Sequence, residues 1–218
     1  MPTFVIGDIH GCLKSLEALV EFVAPKKTDT LVTLGDYIDR GPSSKGVIDF
    51  LSECRNPFNL VTLKGNHEQM MENARHSEQE QYFWLANGGE TTLDSFCTTN
   101  LDEINNSYWR FMAQCKLYHE TDQHIIVHAG LDPKLPLDKQ PKEVLLWKRI
   151  FDTEQHVSGK KLICGHTSQR SGDPLILDHA VCIDTNACGS GWLTCMDIDN
   201  EKYWQANEQG ETRMWSSR

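Results

Sequence analysis

The apolar residues of this chain come in short, β-rich runs: TFVI (3–6), TLVTL (30–34), LVTL (60–63), IIV (125–127), KLIC (161–164), PLIL (174–177), AVCI (180–183) and WLTCMDI (192–198). Runs of this length rich in Val, Ile and Thr read as strands, and none approaches the 18 apolar residues that a membrane-spanning helix needs. Between the early runs the period changes. Leu13, Leu16, Val20 and Val23 recur on one helical face. Val47, Ile48 and Leu51 mark a second helix after Pro42, with Ser43 or Ser44 as its N-cap. Residues 108–117 and 141–149 read as further helices, the latter with Pro141 at or near its first turn. The front therefore alternates β-α-β-α-β, whereas residues 161–204 look like strands joined by tight turns. This pattern predicts an α/β (α+β) fold of two packed mixed sheets flanked by helices, as one domain over residues 1–218. The polar stretches 72–81 and 130–142 read as surface excursions, the first partly helical.

The net charge of −10 argues against a nucleic-acid backbone or an anionic membrane as partner, since both need a basic footprint. An anionic substrate would have to be held by local positive charge. Eight scattered cysteines with no C-x-x-C spacing read as reduced, mostly buried thiols, which points to the cytoplasm. The opening MPTFVIGDIHG has neither the basic nor the apolar segment of a signal peptide.

Five of the runs stop in the same manner. Asp8 and His10 follow the first, and Asp36, Asp39 and Arg40 the second. Asn66 and His67 follow the third, His128 ends the fourth, and His166 follows the fifth. Glycines stand beside most of these stops, where the backbone can turn sharply or approach a ligand. In open α/β sheets the carboxyl ends of strands border the ligand crevice, so five such ends point to one shared site. Any one stop alone is an ordinary turn, and Asp39–Arg40 alone could be a loop ion pair of little weight. Taken together they hold four of the nine histidines, which turns with no shared purpose do not explain.

Asp, His and Asn without Cys form a nitrogen and oxygen donor set suited to Mn, Fe or Zn. Two carboxylates, three imidazoles and an amide exceed the needs of one ion, so two divalent metals are the natural count. One carboxylate must then bridge, because ions about 3.5–4 Å apart share oxygen ligands and a hydroxide. Two divalent ions outweigh the charges of Asp8 and Asp36, leaving a positive site that a phosphate ester fits.

GDIHG, GDYIDRG, GNHE, HAG and CGHT occur in the order and rough spacing of the phosphoprotein phosphatase family of calcineurin-like metallophosphoesterases. GNHEQMM (65–71), WLANGG (84–89), LLWKR (145–149) and IDTNACGSG (183–191) also resemble its small bacterial and bacteriophage lambda-type serine/threonine phosphatases, so the likeness covers nearly the whole chain. The resemblance implies a metallophosphoesterase-type β-sandwich with a binuclear site. Asp8 and His10 would hold the first ion, Asp36 would bridge, and Asn66, His128 and His166 would hold the second. It also implies His67 as general acid, oriented by Asp39, with Arg40 and Arg149 gripping phosphate oxygens.

The chemistry agrees with these roles. A hydroxide shared by two metals attacks phosphorus in line near neutral pH, and the alkoxide leaving from a serine or threonine phosphate benefits from a proton. Guanidinium groups suit phosphoryl oxygens. For Arg149 the competing account is a basic residue complementing a helix dipole. The expected activity is hydrolysis of phosphoprotein Ser/Thr monoesters, probed against a dinucleoside tetraphosphate hydrolase on the same site and against a non-catalytic metal-binding module. Manganese is the expected ion, with iron or zinc fitting the same donors. Phosphorylated proteins are the expected partners, and regulatory subunits are not expected, since no long extension follows the last strand.

One rival motif is present. CGHTSQRS (164–171) matches C-x5-R-S, the phosphate loop of cysteine-dependent tyrosine phosphatases, but Ser171, Gly172, Asp173 and Pro174 leave no helix where that loop needs one. The carboxylates around Asp197 lack the pattern that follows the nucleophile of aspartate phosphatases and read as a strand end.

Overall fold

The computed structural model of the protein describes residues 1–54 and 59–216. The front of the chain runs β1 (Thr3–Ile6), α1 (Leu13–Val23), β2 (Thr30–Thr33), α2 (Ser44–Cys54) and β3 (Asn59–Thr62). A helical stretch follows: α3 (Asn66–Ala74), α4 (Glu78–Trp84), a kinked turn over Leu85–Gly89, α5 (Glu90–Ser95) and α6 (Asn106–Ala113). The remainder is β4 (Tyr118–Glu120), β5 (His124–Val127), α7 (Lys142–Trp147), β6 (Lys161–Cys164), β7 (Leu175–Ile176), β8 (Ala180–Cys182), β9 (Leu193–Asp197), β10 (Lys202–Ala206) and β11 (Thr212–Trp215).

Two mixed sheets result. The first has the order β11-β10-β9-β1-β2-β3, with β1, β2 and β3 parallel and β9 to β11 antiparallel. The second has the order β4-β5-β6-β8-β7, with β5, β6 and β8 parallel between antiparallel edges. Alternation along each strand decides which face each side chain meets. Val5, Val32, Val61, Ile126, Ile163, Val181 and Met196 point inward and form one buried layer between the sheets. Phe4, Ile6 and Leu31 point outward against Leu16, Leu19, Val47, Ile48 and Leu51 of α1 and α2. Leu162, Cys164, Ala180 and Cys182 cover the other outer face with Leu145 of α7. Each fully buried aliphatic side chain contributes roughly 1.5–3 kcal/mol, so this three-layer apolar packing is the main driving force for the arrangement.

The expected strands are present, with shifts at their ends. PLIL shortens to β7, a two-residue edge strand, because Pro174 donates no N–H to a ladder. The helix expected over 108–117 stops at Ala113. Beyond it the Lys116 N–H bonds Thr62 O, and Lys116 O accepts the Lys64 N–H, so this segment covers the free edge of β3. The strand-rich part extends past 204 to β11 at the edge of the first sheet. In the polar stretch 72–81, α3 ends and α4 begins, with the Ser77 hydroxyl capping α4 by accepting the Glu80 N–H. Among the described residues no helix is long and apolar enough to cross a membrane.

Candidate metal centre

Six parallel strand ends, three from each sheet, deliver side chains to one crevice. In the first sheet β1 runs into Asp8 and His10, β2 into Asp36, Asp39 and Arg40, and β3 into Asn66 and His67. In the second, β5 leads to His128, β6 to His166 and β8 to Asp184. The sharp turns there were expected of the neighbouring glycines. Gly11 (φ 65°) and Gly35 (φ 102°) supply them at the first two stops, and five site residues take left-handed backbone conformations as well: His10 (φ 46°), Asp36 (φ 50°), Asp39 (φ 71°), Arg40 (φ 68°) and His166 (φ 61°). Non-glycine residues held in that region store about 1 kcal/mol each, a cost that clusters where function needs a side chain aimed.

Asp36 is the centre of the arrangement. Its Oδ2 lies 3.4 Å from His10 Nε2, and its Oδ1 lies 3.6 Å from His128 Nε2. Potential ligand atoms of His10, Asp36 and His67 lie within 4.8 Å of one another, as do those of Asp36, His128 and His166. One carboxylate therefore faces two separate cation positions. Asn66 Oδ1 is 2.9 Å from both His128 Nε2 and His166 Nδ1. Asp8 Oδ2 accepts the backbone N–H of His166 at 2.9 Å, while its Oδ1 is buried with no hydrogen-bond partner. Arg40 Nη1 donates to His10 Nε2 at 2.9 Å.

These residues fit a pair of divalent cations. The His10 ring donates Nδ1–H to Ile38 O at 2.9 Å, and the His128 ring donates Nδ1–H to Leu34 O at 2.9 Å. Tying one ring nitrogen to a carbonyl leaves the other as a lone pair aimed into the site, the usual orientation of a metal-ligating imidazole. The Nε2 lone pair of His128 faces the Asn66 oxygen, two acceptors that a cation reconciles. Burial pushes the His10 imidazole down to about 3 and that of His166 down to about 4, and it lowers His128 as well, so all three are neutral ligands near neutral pH. Burial pushes the Asp8 carboxyl well up, with repulsion from Asp184 and Asp36 adding to it. Burial also opposes ionisation of Asp36, but the charges that His128, His67, His10 and His166 carry once protonated in acid outweigh it and hold this carboxyl low. Three crowded carboxylates with an unpartnered oxygen among them call for positive charge.

His67 lies among these groups, beside His10 and Asp36, but has a partner of its own. Its Nδ1 is 2.6 Å from Asp39 Oδ2, and both side chains are buried. Burial disfavours its charged form, yet the charges of Asp36 and Asp39 outweigh that and raise the imidazole above its ordinary value. His67 is thus built to carry a proton beside three imidazoles built to lack one.

Residues 1–186 match the calcineurin-like phosphoesterase family. The chain belongs to that family. Such metallophosphoesterases use a binuclear divalent metal centre, which the donor groups around Asp36 can supply. This phosphoesterase is 34% identical over 208 residues to serine/threonine-protein phosphatase 1 of Salmonella typhimurium, covering 89% of this chain and 91% of that protein. It is 31% identical over 159 residues to the symmetrical bis(5'-nucleosyl)-tetraphosphatase of Pseudomonas syringae pv. tomato, covering 71% of this chain and 49% of the relative, about half its length. In fold it resembles the solved structure of a candidate diadenosine tetraphosphatase, with a TM-score of 0.69 and 19% identity over 99% of this chain and 95% of that one.

Arg149 of the phosphoesterase lies beyond α7, which ends at Trp147, on an extended residue. The dipole account therefore lacks its geometry. The exposed guanidinium is close enough to His166 to add to the lowering that burial imposes there. Cys164 is fully buried within β6, and no helix follows its loop, so the cysteine-phosphatase arrangement is absent from this segment.

Two buried acids had no assigned role in the sequence. Asp184 follows β8 in the run IDTNACGSG, a sixth strand end of the same kind; burial pushes its carboxyl up to about 6, with Asp36 adding to the rise. Glu68, the last letter of GNHE, is fully buried in the first turn of α3. Its Oε2 accepts the N–H groups of Gly65 (2.8 Å) and Asp36 (2.9 Å), and its Oε1 accepts that of Tyr37 (2.8 Å). This clamp holds the left-handed turn at Asp36 against the start of α3. Glu68→Ala leaves three buried donors unsatisfied and is expected to cost roughly 3–5 kcal/mol of stability, read by urea denaturation. A loss under about 1 kcal/mol would mean that the turn at Asp36 holds itself.

Proposed function

We propose that this phosphoesterase hydrolyses serine and threonine phosphomonoesters of phosphorylated proteins. The carrying observation is the buried His67–Asp39 pair beside the metal centre. A serine or threonine alkoxide is a poor leaving group that needs a proton, whereas the polyphosphate released from a phosphoanhydride does not. When bound, the two divalent cations, for which we take manganese, supply Lewis acidity and an activated water. Asp8 and His10 would hold one, Asn66, His128 and His166 the other, with Asp36 between them.

The remaining tasks fall to side chains. Arg40 and Arg149 grip phosphoryl oxygens and offset the charge that builds on them in the transition state. His67 hands the proton on Nε2 to the departing oxygen, while Asp39 holds Nδ1–H and so fixes tautomer and ring direction. The Salmonella relative, matched over nearly its whole length, supports the monoester reading.

The similarity to tetraphosphatases favours a second reading, hydrolysis of dinucleoside polyphosphates on the same residues. Comparing kcat/KM for a phosphoseryl peptide and for diadenosine tetraphosphate separates them. The peptide is expected to be the better substrate, with both activities abolished by chelation and restored by Mn²⁺. A larger value for the nucleotide installs the second reading, and full activity after chelation removes both.

A further inference from the structure

The carboxylate of Asp39 is held by more than His67. Trp84 donates its indole N–H to Asp39, 2.9 Å from Oδ2 and 3.1 Å from Oδ1, and Thr92 donates its hydroxyl to Oδ1 at 2.7 Å. All three side chains are buried beyond reach of solvent. Trp84 ends α4 and Thr92 lies in α5, eight positions further on. In an unbroken α-helix that separation is about 12 Å along the axis, too far for both to reach one carboxylate. A kink at Gly88 (φ 105°, ψ 12°), within Leu85–Gly89, breaks the helical path between them and removes the separation.

Two glycines make that turn possible. Gly88 has φ 105°, and a Cβ there would come within 2.9 Å of Arg40 Cγ. A Cβ on Gly89 would come within 2.5 Å of the Trp84 ring. The same turn therefore admits the indole on one side and the Arg40 side chain on the other, and its Gly88 carbonyl accepts the Arg40 N–H at 3.2 Å.

We propose that Trp84 and Thr92 are positioning residues for proton transfer: together they fix both oxygens of the Asp39 carboxylate that bonds His67, so that the imidazole is aimed at the leaving oxygen. This rests on the reading of His67 as the proton donor. Closed off from solvent, Asp39 can keep His67 aligned only if its own remaining lone pairs are fixed; with one donor removed the carboxylate rotates and the imidazole follows.

The test is a double-mutant cycle on the metal-loaded protein, with Trp84→Phe and Thr92→Val each made alone and in a His67→Asn background. Each single variant is expected to lower kcat about tenfold on an alkyl or phosphoseryl ester, a fraction of the total a general acid supplies, with KM little changed. Loss on p-nitrophenyl phosphate, whose leaving group needs no proton, should be much smaller. In the His67→Asn background neither substitution should lower the rate further. Thr92→Ser, which keeps the hydroxyl, should retain the parent rate. Equal losses on both esters, or undiminished losses in the His67→Asn background, would overturn the proposal and leave these residues structural. The cycle is run on the alkyl or phosphoseryl ester, because only that leaving group needs the proton. If the parent turns over the dinucleotide better, the monoester reading fails, while the coupling measured on the ester still decides the role of Trp84 and Thr92.

Discussion

Asp36→Asn is expected to lose bound metal and nearly all activity together. Its two oxygens face His10 on one side and His128 on the other, at 3.4 and 3.6 Å. An amide of the same shape carries no charge and offers only one oxygen, so it cannot serve both cation positions. Losing several kcal/mol of charge stabilisation corresponds to a fall in kcat of about 1,000-fold or more. Elemental analysis of dialysed protein should find fewer than two ions per chain, and p-nitrophenyl phosphate turnover should fall with the metal content. Two tightly held ions with an undiminished rate would show that Asp36 does not join the two halves of the site. Asp8→Ala should behave in the same direction, because its Oδ1 has no partner within the protein to lose.

His67→Asn is expected to separate metal binding from catalysis. The imidazole bonds Asp39 and stacks edge-on against His10 with ring centroids 4.6 Å apart, yet its proposed task is to give up a proton. The variant should keep its two ions while kcat on a phosphoseryl peptide falls by about 10²–10⁴. On p-nitrophenyl phosphate the fall should be smaller. Full turnover of the peptide would remove the general-acid role from His67, and loss of metal with the rate would make it a ligand.

Much of the candidate site was legible because its chemistry is local in the chain. Asp8 and His10, Asp36 and Asp39, or Asn66 and His67 each sit within a few residues of an apolar run. A strand ending in such residues announces a ligand edge whatever packs behind it. Asp184, directly after AVCI, carried the same signal and was passed over, whereas Glu68, Trp84 and Thr92 were not legible in this way. Each acts through a partner distant in sequence: Glu68 on the Asp36 N–H, and Trp84 and Thr92 on Asp39. A glutamate in the first turn of a helix or a tryptophan in a helical stretch has an ordinary structural explanation until its partner is seen. The stop of α6 at Ala113 was hidden for a similar reason, since Lys116 leaves the helical path to pair with β3.

The sequence by itself determined the six strands that feed the site, the order in which polar residues follow them, and a donor set of carboxylate, imidazole and amide, because short-range periodicity and residue chemistry need no neighbours. Only the tertiary structure decided that Asp36 stands between two imidazole groups and that Glu68 clamps its turn. It also decided that a kink at Gly88 brings Trp84 and Thr92 onto one carboxylate. Those outcomes depend on how two sheets are stacked so that their carboxyl edges coincide. That stacking follows from burying Val5, Ile163 and their neighbours as one layer, a property of the whole chain rather than of any segment.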